Sequence, residues 1–159
     1  MGDENLKRMI KLAEEFFDMK NDPDQLAVDE ENIAKLRAIH YATMSEESND
    51  NGPIAWMLVI PTKRVLMEEF VRGGINEREL LAKTPPGIAY DAIYLCSALV
   101  LPEHRGKGLA GGLAARALRS ILADHPIKAL FYWGFSGGGD ALASSLAREF
   151  ALPLYARKE

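Results

Sequence analysis

The sequence predicts an α/β fold of the α+β kind: a mixed sheet flanked by helices, with a helical N-terminal segment ahead of it. Three observations predict it. Short apolar runs at 54–60, 92–101 and 127–133 read as buried strands, and stretches of helical periodicity separate them. From 92 onward the order strand, helix, strand, helix asks for parallel pairing at the sheet centre. The 159 residues, 48% apolar and 26% charged, suit one domain over 1–159 with a core of its own.

Taken in order, 4–20 reads as an amphipathic helix. Leu6, Met9, Ile10, Leu12, Ala13, Phe16 and Phe17 recur at helical spacing with charges between them, and Asn21-Asp22-Pro23 stops it. A second helix is expected over 29–41, which makes 1–50 a helical N-terminal segment that closes on a polar loop, 45–53. The run 54–60 is a strand ended by Pro61. Thr62 is placed to cap a helix running to about 72, which Gly73-Gly74 terminates. Asn76 and Glu79 stand at capping-box spacing ahead of a short helix over 77–83. After the turn at Thr84-Pro85-Pro86-Gly87 comes the strongest strand, 92–101. It is apolar on both alternating faces, as a central strand covered on both sides should be. A helix over 106–123, a strand over 127–133, a glycine loop over 134–139, a helix capped by Asp140 and running to about 150, and a short strand near 152–155 complete the chain.

Charge is uneven. Residues 1–50 hold 6 basic and 13 acidic side chains, whereas 51–159 hold 13 basic and 10 acidic. An acidic first third is no footprint for nucleic acid. The longest unbroken apolar run is far below the roughly 20 residues of a membrane span. One cysteine, Cys96, excludes an intrachain disulfide. A cytoplasmic protein that binds neither nucleic acid nor membrane is expected.

The chemistry concentrates in Val100-Leu101-Pro102-Glu103-His104-Arg105-Gly106-Lys107-Gly108-Leu109-Ala110-Gly111-Gly112. This stretch leaves the best strand, passes a basic glycine-rich turn and opens a helix. Glycine lets a backbone approach a ligand closely. The first N–H groups of a helix are free, and its dipole adds positive charge. Together they suit a phosphate or pyrophosphate. Gly111 and Gly112 inside the helix cost about 1 kcal/mol each against alanine, so a close approach by a ligand or a neighbouring element is expected there. The Walker pattern is absent. Gly106-Lys-Gly108-Leu-Ala-Gly111 matches GxGxxG, but Pro102 to Arg105 separate it from the strand and no carboxylate ends the next strand, which argues against a dinucleotide site.

The stretch resembles the acetyl-CoA-binding motif of the GNAT N-acetyltransferase superfamily. Val100-Leu101-Pro102 matches that family's V-x-P strand end, and Arg105-Gly106-Lys107-Gly108-Leu109-Ala110 matches its Q/R-x-x-G-x-G/A helix opening. Asp140-Ala-Leu-Ala143-Ser-Ser-Leu146 occupies the place of N-x-x-A-x-x-L. The resemblance covers about 92–152 and implies that this is the acetyl-CoA-binding half of a GNAT-like domain. By resemblance, backbone groups of Ala98, Leu99 and Val100 pair with the pantetheine arm. Arg105, Gly106, Lys107, Gly108, Leu109, Ala110 and Gly111 hold the CoA pyrophosphate, and Asp140 belongs to the same site. The thioester lies where the strands 92–101 and 127–133 part. An N–H in 98–100 then polarises the acetyl carbonyl. The implied activity is transfer of acetyl from the CoA thioester to a primary amine, of a small molecule or a peptide, by direct attack and without a metal. The alternative is an inactive CoA- or acyl-CoA-binding protein on the same fold.

The sequence departs from the family at Ala147, where a tyrosine often protonates the departing thiolate. The chain also ends soon after Tyr155, so a shortened C-terminus is expected, whose open sheet edge invites a homodimer. Family members carry a hairpin ahead of the motif strand, and 84–91 offers none. No general base or acid is assigned. Cys96, Glu68, Glu69, Tyr94, Tyr132 and Ser136 are candidate acid–base or ligand groups, each with an ordinary core, surface or loop role as the alternative. His40, His104 and His125 have no metal-ligand spacing.

Overall fold

A computed structural model describes residues 4–5, 7–9, 11–12, 30–134 and 137–157. A five-stranded mixed sheet in the order β1-β2-β3-β4-β5 is flanked by helices on both faces. The strands are β1 (Met44–Asn49), β2 (Gly52–Thr62), β3 (Ala92–Val100), β4 (Ala129–Trp133) and β5 (Leu154–Arg157). The helices are α1 (Glu30–Ile39), α2 (Arg64–Val71), α3 (Glu77–Lys83), α4 (Leu109–Asp124) and α5 (Gly137–Phe150). β1, β2 and β3 pair antiparallel, whereas β3–β4 and β4–β5 are parallel. The parallel pairs are those joined by crossover helices, as short connections require.

The 45–53 loop is a correction. Met44–Asn49 is an edge strand, and 52–62 runs back along it. Its polar composition hid it, because none of its side chains is buried: Glu46, Ser48 and Asn49 are exposed, Met44, Ser45 and Glu47 half-buried, and Glu46 accepts from Trp56 Nε1 at 2.8 Å. A β1–β2 hairpin therefore precedes α2 and α3, and 84–91 holds no strand, as the sequence leads one to expect.

Thr62 is not a helix cap. It ends β2, fully buried, with its Oγ1 2.6 Å from Thr84 Oγ1. Lys63 takes the cap position without a side-chain bond, and Asp91 Oδ1 accepts from Arg64 N at 2.7 Å. A residue 27 positions away thus supplies the missing acceptor. The Asn76–Glu79 capping box is present as its spacing predicts.

α4 begins at Leu109 instead of 106, because Gly106 and Gly108 both hold positive φ, +79° and +76°. α5 begins at Gly137, which places Asp140 in its first turn and not at its cap. The last strand is 154–157 and not 152–155.

Side chains alternate across the sheet. Tyr94 and Phe131 are ladder neighbours, and both rings meet Phe70 of α2. Tyr132, one residue on, bonds Asp140 of α5 on the opposite face. α4 packs on β1, β2 and β3, and α5 on β4 and β5. The main core runs through both layers, with Val59, Ile60, Phe70, Ile93, Leu118, Leu130 and Phe131 wholly buried. A satellite cluster joins Met9 to Ile54 and Leu101, so helical residues near the N-terminus cover the far end of β2 and β3. The Arg8 guanidinium clamps both Glu103 oxygens beside them, at 2.5 and 2.6 Å. The described part of the predicted 4–20 helix is helical, and 13–20 lies outside the described residues. No helix among the described residues is long and apolar enough to cross a membrane.

Candidate functional site

The site grows out of β3. Its parallel ladder with β4 runs from Ala92↔Ala129 to Leu95↔Tyr132 and stops there, while β3 continues to Val100. Beyond Leu95 the edge facing β4 has no strand partner among the described residues. The register with β2 shifts at the same height: Val59 faces Leu95 and Leu58 faces Ser97, leaving Cys96 as the extra residue of a bulge. A bulge bends and twists its strand, so the parting of β3 from β4 has a local cause. The first four residues of β3 are buried and the last five are half-buried. The expectation of cover on both faces therefore holds only for its first half.

Backbone polarity along the open edge follows from one bond. Leu101 N donates to Ile54 O at 2.9 Å. Antiparallel bonds alternate, so Leu99 and Leu101 face β2, and Ala98 and Val100 turn N–H and C=O toward the open edge. Arg105 Nε donates to Val100 O there, at 3.0 Å. Of the three residues implicated by resemblance, Leu99 thus points its peptide groups at Trp56.

The edge leads into the glycine turn. A short 3-10 turn, Pro102–His104, carries the chain to Arg105. A Cβ on Gly106 or Gly108 would meet nothing within 4 Å, so their need is conformational and not steric. Gly108 is the N-cap of α4 and supplies no side-chain acceptor, and the first turn holds no acid. Gly112 N→Gly108 O, 2.9 Å, is the first helical bond. Leu109, Ala110 and Gly111 N–H therefore lie outside the ladder at the positive end of the dipole. Arg105 and Lys107 are exposed beside them. Gly111 would place a Cβ 3.8 Å from Leu142, an ordinary contact, and Gly112 faces open space. Among the described residues no neighbour requires either glycine, which leaves the ligand half of the close-approach expectation.

Across the gap, Gly134 N donates to Arg157 O at 3.0 Å as β4 ends. Asp140 accepts from the Tyr132 hydroxyl, and that bond, with some burial, holds the tyrosine above its ordinary range. Both residues already engage each other in the structure. Ser136 lies outside the described residues.

One buried carboxylate escaped the sequence reading. Glu77, the first residue of α3, is 2% exposed. It accepts a short hydrogen bond from the Tyr94 hydroxyl, and Cys96 Sγ donates to the same Oε2 at 3.8 Å. Burial pushes Tyr94 well above its usual range; Cys96 and Glu77 add to this and Arg157 opposes it. An acid in the first turn of a helix reads from sequence as a partner for the dipole, so nothing marked Glu77 as buried against β3. Tyr94 is a core aromatic with its hydroxyl satisfied.

The remaining candidates lie elsewhere. Glu68 is exposed on α2 beside a shallow hollow lined by Arg64, Met67 and Tyr155. His40 Nε2 donates to Asp124 Oδ2 at 2.8 Å while its Nδ1 accepts from Ala42 N, which ties α1 to the end of α4. His125 Nδ1 accepts from Tyr90 N, and burial with the nearby His40 holds it below its ordinary range. No group of three metal-ligating side chains occurs among the described residues. Ala147 is buried in the core.

No protein-family model matches the chain, and no curated protein matches it. Among solved structures it is similar to an aminoglycoside acetyltransferase from an uncultured soil metagenomic sample, in complex with trehalose. Identity is 12% and the TM-score 0.45, over 94% of this chain and 82% of that one.

Proposed function

We propose that the protein is an acetyl-CoA-dependent N-acyltransferase that moves acetyl from the CoA thioester to a primary amine by direct attack. The observation that carries this reading is the open edge of β3 running into the glycine turn. The pantetheine arm carries amide groups; along an edge with no strand partner among the described residues, Ala98 offers N–H and C=O and Val100 its N–H, Val100 O already accepting from Arg105 Nε. The pyrophosphate carries two negative charges, and the first N–H groups of α4 with Arg105 and Lys107 offer positive potential. The sequence pattern around Val100-Leu101-Pro102 and Arg105 to Ala110 supports the same ligand.

In this reading the acetyl carbonyl sits where β3 leaves β4. A backbone N–H of Ala98 or Val100 donates to its oxygen, and that bond strengthens as the oxygen gains charge in the tetrahedral intermediate. The neutral amine attacks the carbonyl carbon, the C–N bond forms, the C–S bond breaks, and the proton that nitrogen gives up ends on the CoA sulfur, which leaves as the thiol. Arg105 holds the strand end through Val100 O, and its remaining guanidinium N–H groups are at hand for the phosphates. The acceptor is a primary amine of a small molecule or peptide.

Titration calorimetry of the purified protein with acetyl-CoA, and with CoA alongside, tests the reading. Saturable micromolar binding of both is expected, with release of free thiol when a panel of primary amines is added. No binding at millimolar acetyl-CoA would refute it. Binding without thiol release from any amine would leave a CoA-binding protein.

A further inference from the structure

Between Leu101 and Gly112 the chain carries one acid, Glu103, against the cations Arg105 and Lys107. That is an awkward place for it beside an anion site. Glu103 and Gly106 are so close in sequence that their Cα atoms are at most about 11 Å apart, and Glu103 is exposed. A helix N-terminus and exposed cations attract a carboxylate as readily as a phosphate. In the structure the carboxylate is turned elsewhere. Arg8 Nη1 and Nη2 each donate to one of its oxygens, at 2.5 and 2.6 Å. The fork comes from a helical segment that is anchored independently of it. Asn5 N donates to Asn51 O at 3.2 Å, and Asn5 Nδ2 to Asn49 Oδ1 at 3.0 Å, at the β1–β2 hairpin. Met9 is wholly buried against Ile54 and Leu101, and Leu12 packs there too. Asn5, Arg8, Met9 and Leu12 follow helical i, i+3 and i+4 spacing, so one helix face makes these contacts. Leu109, whose N–H is among those free at the start of α4, packs on the same cluster.

We infer that Arg8 is a positioning residue of the anion cradle: it holds the Glu103 carboxylate away from Arg105, Lys107 and the first N–H groups of α4, which leaves them for the CoA pyrophosphate. The inference rests on the proposed acetyl-CoA reading. An exposed ion pair contributes little to folding, so the effect of this one lies in what it removes from the turn. Without the fork, Glu103 is a carboxylate tethered beside the same donors and competes with the ligand for them. Arg105 Nε is engaged by Val100 O, so the rest of its guanidinium and the Lys107 ammonium are the groups at stake. Even without contact, a freed carboxylate about 10 Å from two phosphate charges in water changes Kd about fourfold. The N-terminal helical segment thereby sets the affinity of the cradle without touching the ligand.

Titration calorimetry with acetyl-CoA at low salt tests this on the parent, Arg8→Gln, Glu103→Gln and the double variant. Arg8→Gln is expected to raise Kd about fivefold in the parent. In the Glu103→Gln background the same substitution should change Kd by less than about twofold, because the competing carboxylate is gone. Glu103→Gln alone should bind at least as tightly as the parent. A loss of the same size in both backgrounds would overturn the inference, since Arg8 would then act by its own charge or through the fold. An unchanged Kd for Arg8→Gln would overturn it too. If acetyl-CoA does not bind the parent, the proposed function falls and this inference with it. If the parent binds and the two substitutions do not couple, the inference alone falls. Should Arg8→Gln fail to fold, Glu103→Gln decides, and weaker binding than the parent's would overturn it.

Discussion

Substituting Gly108 separates the conformational demand of the turn from its electrostatic one. Gly108 holds φ +76° at the N-cap of α4, and a Cβ there meets no atom within 4 Å. Any other L-residue incurs about 1–2 kcal/mol of left-handed strain. Asp and Asn tolerate that region best, and both are strong N-caps worth about 1 kcal/mol where the cap now has no side-chain acceptor. Gly108→Asp and Gly108→Asn should therefore each shift stability by no more than about 1 kcal/mol. Their effects on a bound pyrophosphate differ. A carboxylate about 5 Å from one phosphate charge, at an effective dielectric near 20, opposes binding by about 3 kcal/mol, or on the order of a hundredfold in Kd. The amide carries no such charge and should lose less than about tenfold by comparison. Titration calorimetry with acetyl-CoA, at low and physiological salt, reads both. The Asp defect should shrink as salt rises. Equal affinities for the Asp and Asn variants, with thermal melts unchanged, would refute the anion cradle at α4.

Three further outcomes follow from the same structure. Asp91→Ala should cost about 1 kcal/mol in thermal unfolding, because Arg64 N loses its acceptor at the start of α2; a melt within error of the parent would show that water replaces the cap. Phe70→Ala should cost about 3–5 kcal/mol, since Phe70 is wholly buried between Tyr94, Phe131 and Trp133; denaturant unfolding checks it. The Arg8 guanidinium holds the Glu103 carboxyl down to about 2. The folded value lies below the unfolded one, so this contribution is present above about 4.5 and is lost as pH falls toward 2. Carboxyl chemical shifts of Glu103, followed over that range, should titrate near 2, and Arg8→Gln should return them to the ordinary carboxylate range.

Much of the fold was legible because local rules governed it. The apolar run of β3 and the Asn76–Glu79 box needed only neighbours in sequence, and their elements stand where the spacing puts them. The glycine turn was legible for the same reason: positive φ at Gly106 and Gly108 is a property of those residues. The misreadings arose where a partner lies far along the chain. Met44–Asn49 looked like a loop because an edge strand is recognised by the strand it pairs with, and β2 provides that register. Thr62 looked like a cap, but Asp91 supplies the acceptor and Thr84 claims the hydroxyl.

By itself the sequence determined the class of fold, the strand–turn–helix at 92–124 and its suitability for an anion, since these depend on periodicity, glycine and charge within a few turns of chain. Only the tertiary structure decided which peptide groups of β3 are open, because that depends on where β4 stops and which way each N–H turns. It alone decided that Glu77 is buried against Tyr94 and Cys96. A carboxylate in a first helical turn serves equally well in water, and its burial is set by the packing of α3 on the bulge.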